Sequence, residues 1–201
     1  MNESVVIEHI KHTVVLRFNR PEVKNPLSVE TLELLETLVA NLESHTAIKT
    51  IIFTGSGGTF ASGANLNEIA RLDETTAPAF GRRGQRLMQK IYHSEKQTVA
   101  AIDGFCMGGA LDLALSCKHR IASPRSIFAH PGVALGIMTG WSGTQILPRL
   151  IGEARALEMF LTAKRVDAKE ALRINLIDKI SDDPLADSLA NYLPPSSSIE
   201  V

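Results

Sequence analysis

The chain has 201 residues, enough to bury one sizeable core and too few for two comfortable domains. Hydrophobic residues at 44% and charged residues at 21% are the proportions of a globular protein, not of a disordered or fibrous one. Lys and Arg number 21 against 22 Asp and Glu, and no block of like charge stands out, so nothing is in surplus to neutralise phosphates and a nucleic-acid partner is not expected.

The opening stretch MNESVVIEHIKHTVVLRF is broken by Glu3, Glu8, His9, Lys11 and His12, which is not the unbroken apolar run of a signal peptide. Within it, Val5–Ile10 and Thr13–Phe18 read as two strands of a hairpin around His12. A turn follows at Asn19-Arg20-Pro21. Ser28 is a good N-cap, and Leu32, Leu34, Leu35, Leu38, Val39 and Leu42 recur with helical spacing, predicting a helix to about Ser44. Residues 48–54 form a β-branched run that feeds Gly55-Ser56-Gly57-Gly58. A dinucleotide fingerprint would need a third glycine where Phe60 stands, so that reading fails.

Helices are expected at 66–72 and 78–92, and a buried strand at 98–102 ending in Asp103-Gly104. Gly108-Gly109 then introduces an apolar helix over 110–117, and 121–122 and 127–129 are short strand candidates. Cys106 and Cys117 lie eleven apart in apolar sequence, which suits buried free thiols and a reducing cytoplasm. Further helices are expected at 152–161 and 167–172, the second with Asp167 as N-cap and Glu170 at the box position. Strand alternating with helix predicts an α/β fold with a largely parallel sheet. Residues 185–193 could add two or three helical turns before Pro194-Pro195-Ser196-Ser197-Ser198, so the expected division is a core at 1–185 and a short helical, polar tail at 186–201. No run reaches the roughly 18 apolar residues of a membrane span.

Two segments share a design of small residues opening a helix: Phe60-Ala61-Ser62-Gly63-Ala64-Asn65-Leu66 and Met107-Gly108-Gly109-Ala110-Leu111-Asp112. The first N–H groups of a helix lack intrahelical acceptors and sit at the positive end of its dipole, so a negative oxygen is stabilised there. If the turns converge, one N–H from each could grip a single oxygen and favour an enolate. The same residues could equally serve close helix–sheet packing and an ordinary loop.

Four segments resemble the crotonase superfamily, which includes enoyl-CoA hydratases and isomerases: NRPEVKNPLS at 19–28, GTFASGANLNE at 58–68, AAIDGFCMGGALDLALSCKHRIAS at 100–123 and LGIMTGWSGTQILPRLIG at 135–152. The resemblance spans about residues 5–180. It implies a crotonase-like spiral of ββα units with the C-terminal helical region shortened, an acyl-CoA thioester as substrate, and no cofactor beyond the coenzyme A of that substrate. It also implies assembly into a homotrimer or homohexamer; with a shortened end, exposed apolar surface favours such association, and a neighbouring subunit could cover the pocket. Carried over by position, the oxyanion donors are the N–H groups of Ala64 and Gly109. CoA contacts fall on Ala61, Gly63 and Ala64, with Val23 and Lys24 near the head group; Pro26 replaces the family's usual alanine there and has no N–H.

Hydratases of this superfamily use two carboxylates. The first position is Asp112; the second falls on Gly132, and a third used by some members falls on Gly140, neither with a side chain. Asp112 could merely complement its helix dipole, yet apolar neighbours would raise its pKa into a useful range. His130 could supply a base from beside the vacant position, although a two-residue shift on a strand displaces a group by about 6.6 Å. Thr139 and Trp141 either line the acyl pocket or simply pack. His45, His93 and His119 read as solvated or core-edge residues, no cluster has metal-ligand spacing, and no residue is placed to activate Cys106 as a nucleophile. The expected activity is of enoyl-CoA hydratase type. Double-bond isomerisation or decarboxylation through the same enolate, and a non-catalytic acyl-CoA-binding or assembly subunit, are the alternatives; a spiral peptidase would need an activated serine, and G-x-S-x-G does not occur.

Overall fold

A computed structural model describes residues 4–192. Val5–Ile10 (β1) and Thr13–Phe18 (β2) pair antiparallel, with Val5 opposite Phe18 and Ile10 opposite Thr13. The chain continues through Pro26–Leu27 (β3), Val29–Ser44 (α1), Thr50–Gly55 (β4), Gly63–Ala64 (β5), Leu66–Ile69 (α2) and Ala77–Tyr92 (α3). Then come Gln97–Ile102 (β6), Phe105–Met107 (β7), Gly109–Ser116 (α4), His119–Ala122 (β8) and Ile127–Ala129 (β9). Gly143–Ile151 (α5), Glu153–Thr162 (α6), Val166–Asp167 (β10), Ala168–Arg173 (α7), Lys179–Ile180 (β11) and Pro184–Tyr192 (α8) complete it.

The long strands, with the two-residue β11 at one edge, form one six-stranded sheet in the order β1-β2-β4-β6-β8-β11, parallel from β2 onward. β2, β4, β6 and β8 are each followed by a short strand that leaves the sheet: β3 pairs with β5, and β7 pairs with β9 and through it β10. A bridge between Ala61 and Cys106 links these short pairs into a second wall. Long strand, short strand, helix, repeated, is the expected spiral of ββα units. The short strands carry the site because each one ends where its helix begins.

Ser28 caps α1 by accepting from the Thr31 N–H, and Asp167 caps α7 through Glu170 N–H, as their spacing predicts. α5 has no counterpart among the expected elements: Pro148 and the flanking glycines break the sequence signal, while Ile146, Leu147 and Ile151 still make a buried helical face. The two faces of the large sheet differ. Val14, Leu16, Phe18, Ile51, Phe53 and Ile102 look into the main core. Val15, Ile52, Val99 and Ala101 look the other way, where Leu185, Leu189 and Tyr192 of α8 cover them. Thr50 Oγ1 donates to the Tyr192 carbonyl at 2.7 Å, fastening the helix. The expected break between 185 and 186 therefore falls inside a helix that covers the sheet; the polar stretch 194–198 lies outside the described residues.

Candidate active site

α4 begins from an unusual turn. Gly108 sits at φ 52, ψ −120, a conformation that suits a residue without Cβ, and its N–H donates to the Ala129 carbonyl on β9 at 2.9 Å. Gly109 is the first helical residue, so its N–H has no acceptor within α4. The other turn arrives from β5, where Gly63 at φ 95 pairs with Pro26. A Cβ built on Gly63 would stand 2.5 Å from the Met107 carbonyl oxygen and 3.1 Å from Gly109 N. The two glycine turns are thus in contact, and only a glycine at 63 permits it.

Ala64, Gly109 and Asp112 line one cleft, with about 680 Å³ of empty space partly open to solvent. Its interior is apolar, from Ile69, Phe80 and Phe160, and its rim carries the exposed Leu66, Leu135 and Met138. Trp141 also lines it and is buried. The indole lies where Cβ atoms on Gly84 and Gly109 would be, at 2.3 Å and 2.2 Å, and leans on Phe80 with ring centroids 5.7 Å apart. Lining and packing are one role here: Trp141 is the wedge between α3 and the start of α4.

Asp112 is one turn along α4 from Gly109, on the same side of the helix, and is fully buried. Its Oδ2 accepts from Thr139 Oγ1 at 2.5 Å and from the Ser142 N–H at 3.4 Å. Burial raises its pKa to about 6, and the hydrogen bonds from Thr139 and the Ser142 N–H keep it from rising further. Asp112 Oδ1 has no hydrogen-bond partner among the described residues. Facing it at 3.7 Å is His130 Nε2. His130 is buried, both ring nitrogens are unpartnered, the ring lies 5.2 Å from that of Phe160, and burial lowers its pKa to about 4.

The strand geometry assumed for His130 is not what forms. β9 ends at Ala129 and a 3-10 turn, Pro131–Leu135, starts at once, so the ring swings toward α4 instead of keeping strand register. That neighbourhood depends on Gly143, whose Cβ would lie 2.3 Å from Asp112 Oδ1 and 3.0 Å from His130 Cε1. Thr139 is an expected pocket residue that turns out to hold the carboxylate. Gly143 had a visible signal, a glycine in GWSGTQ, but its partner in space is thirty-one residues away.

The vacant acid positions are unlike each other. At Gly132 a Cβ would meet the Ile137 carbonyl oxygen at 2.6 Å, and Ile137 N–H donates to the Gly132 carbonyl, so the backbone has closed over that place. Gly140 faces open space. Of the expected CoA contacts, Val23, on the 3-10 turn Pro21–Val23, and Lys24, which caps that turn, are exposed and outside the cleft; the Lys24 carbonyl accepts from Ser62 N–H, and its Nζ stands 5.6 Å over the Phe105 ring. Ala61 is buried, its N–H given to the Phe105 carbonyl and its own carbonyl taken by Met107 N–H, which leaves it no free donor. Asn25, absent from the expected residues, is a buried clamp at φ 51 whose Nδ2 donates to the carbonyls of Ser56 and Thr59 beneath the first turn. Cys106 is buried and its thiol pKa is pushed up by burial. Among the described residues no group of three or more His, Cys, Asp or Glu is placed to hold a metal, and no helix is long and apolar enough to cross a membrane.

Comparison with known proteins places this arrangement in context. The sequence profile described as enoyl-CoA hydratase/isomerase matches residues 9–192. Similar proteins include a crotonyl-CoA hydratase of Syntrophomonas wolfei, 37% identical over 89% of this chain and 69% of that protein. A short-chain-enoyl-CoA hydratase of Clostridium acetobutylicum is 35% identical over 88% of this chain and 68% of its own length. Among solved structures, an enoyl-CoA hydratase from Bacillus anthracis superposes with a TM-score of 0.88 at 30% identity, covering 94% of this chain and 74% of that one.

Proposed function

Because the chain belongs to the enoyl-CoA hydratase/isomerase family, we propose that it binds an acyl-CoA thioester with its carbonyl oxygen between the N–H groups of Ala64 and Gly109, while Asp112 carries a proton. The observation that carries this reading is the contact of the two turns, with the Gly63 Cβ position 3.1 Å from Gly109 N and both Ala64 and Gly109 on the cleft. Two preorganised amides stabilise negative charge developing on the thioester oxygen, and loss of one such donor costs roughly 3 kcal/mol of barrier. The positive end of α4 adds to them.

Asp112 then faces the carbons next to that carbonyl. Thr139 and Ser142 hold Oδ2 in place, so Oδ1 is the oxygen free to accept a proton from carbon and return it. A carboxyl pKa of about 6 suits a group that must take up and release a proton near neutrality. Moving a proton from Cα to Cγ shifts a double bond and needs nothing beyond Asp112 and the oxyanion grip. Water addition is the activity named for the relatives above, and it wants a second group to hold the water. Decarboxylation would lean on the amides alone. A non-catalytic acyl-CoA-binding subunit is the reading favoured by the closed backbone at Gly132.

Coenzyme A enters only as part of the substrate. The exposed Leu157, Leu161 and Leu172 supply apolar surface for a homotrimer or homohexamer, and the two buried, unpaired thiols suit a cytoplasmic setting. The test is turnover of crotonyl-CoA and of a 3-enoyl-CoA by the purified protein and by Asp112→Ala. Turnover that Asp112→Ala abolishes supports the enzyme; binding without turnover by either protein supports the non-catalytic reading.

A further inference from the structure

Resting on the reading above, we propose that His130 is the second water-handling group of the site: its Nε2 and Asp112 Oδ1 together hold the water that adds to Cβ of an enoyl thioester. Three observations support it. His130 and Asp112 both line the cleft, and their facing atoms are 3.7 Å apart. A water about 2.8 Å from each atom fits that separation. Those two atoms, with His130 Nδ1, are the buried polar atoms of the cleft without a partner among the described residues. Buried polar groups without partners are costly, and an oxygen-bearing ligand would satisfy them. Finally, the closed backbone at Gly132 leaves no room for another side chain to do this work from that position.

The other groups around His130 are uncharged. α6 presents Phe160, and the segment entering α5 presents Thr139 and Gly143; Asp112, from α4, is the one titratable group facing the ring among the described residues. Burial keeps the imidazole neutral, so it can carry a proton on Nε2 and donate it to the water oxygen.

The step balances with a single water. Asp112, ionised, accepts from one water O–H through Oδ1, while His130 Nε2–H donates to the water oxygen. As the C–O bond forms at Cβ, that water O–H breaks and its proton passes to Asp112 Oδ1; the double-bond pair moves toward the thioester oxygen, which the Ala64 and Gly109 amides hold. Asp112 then gives the proton to Cα, the enolate collapses, and the product is the 3-hydroxyacyl thioester. His130 ends as it began. Isomerisation uses no water and does not need it.

The experiment compares hydration of crotonyl-CoA with isomerisation of a 3-enoyl-CoA in wild-type protein, His130→Leu, His130→Asn and His130→Gln. In His130→Leu, kcat for hydration should fall about 100-fold, the size of loss that follows misplacing a reactant, and fall at least about tenfold further than kcat for isomerisation. KM should stay within about threefold. Gln can place its amide N–H near the Nε2 position and should recover hydration to within about tenfold of wild type, whereas the shorter Asn should not; that pair decides the matter should Leu fail to fold. Equal losses in both reactions, or equal hydration by the Gln and Asn variants, would overturn the role of His130 and leave the enolate reading intact. Absence of both activities in the wild-type protein would instead overturn the enolate reading, and this one with it.

Discussion

Gly63 and Gly109 both stand where a side chain would collide, but with different things. At Gly63 the obstacle is main chain, the Met107 carbonyl at 2.5 Å, and φ is 95. At Gly109 the backbone is helical and the obstacle is the Trp141 ring at 2.2 Å. The first glycine turn is therefore fixed by the path of a neighbouring backbone, which cannot be trimmed, and the second by a side chain, which can. One wall of the cleft is placed by a rigid constraint and the other by an adjustable one.

The harshest way to probe that contrast is Gly63→Ala. Left-handed strain and a backbone clash together should cost about 3 kcal/mol of stability, and displacement of the Ala64 N–H should lower kcat/KM by about 10³. Denaturant unfolding and steady-state kinetics measure the two losses. Asp112→Asn comes next: the proton carrier is lost while both turns remain, so kcat should fall by about 10² to 10³ with acyl-CoA affinity retained, read by kinetics alongside calorimetric binding.

Gly109→Ala should be milder, about 10² in kcat/KM, and should be partly repaired by Trp141→Ala in the same chain. A coupling of about 1 kcal/mol or more between those two sites is expected, against none between Gly63→Ala and Trp141→Ala. Equal repair of both glycine variants would erase the distinction between the turns.

The smallest effect concerns pH. Asp112 holds its proton up to about pH 6 in the folded protein against an ordinary value of 3.8, so between roughly pH 4 and 6 the native state binds more protons than the unfolded chain, and stability falls as pH rises. His130 runs the other way: its folded-state value of about 4 lies below the ordinary 6.5, the unfolded chain binds the extra proton, and stability rises with pH over roughly 4 to 6.5. The two contributions oppose each other. Asp112→Asn should unmask the His130 slope and His130→Gln the Asp112 slope, each on the order of 3 kcal/mol across its window. Urea midpoints at pH 4 and pH 7 for the two variants should therefore move in opposite directions; parallel movement would argue against the burial of this pair.

Much of the scaffold is legible from residue pattern alone. β1, β2 and α1 announce themselves by period and by the Ser28 cap, and their limits match the structure within a residue or so. α5 does not, because Pro148 interrupts it, and two-residue strands such as β3 and β5 are too short to have a period at all. In the site, the glycine turns and Asp112 are visible as local sequence and as family resemblance. The grip of Thr139 on Asp112 is not, since it spans 27 residues and depends on how the 139–143 segment folds back over α4. His130 is legible as a residue but not as a neighbour: strand spacing displaces it by about 6.6 Å, and the turn starting at Pro131 brings it back. Ala61 shows the converse, a position carried over by resemblance whose N–H is already spent on β7.

The central claim is that one thioester oxygen sits between two backbone amides. A crystal structure with a saturated, unreactive acyl-CoA such as butanoyl-CoA tests it directly. The expected result is a carbonyl oxygen about 2.7 to 3.1 Å from both Ala64 N and Gly109 N, with Cα and Cβ turned toward Asp112. An ordered thioester whose oxygen meets neither amide, or whose acyl chain leaves Asp112 behind, would contradict it.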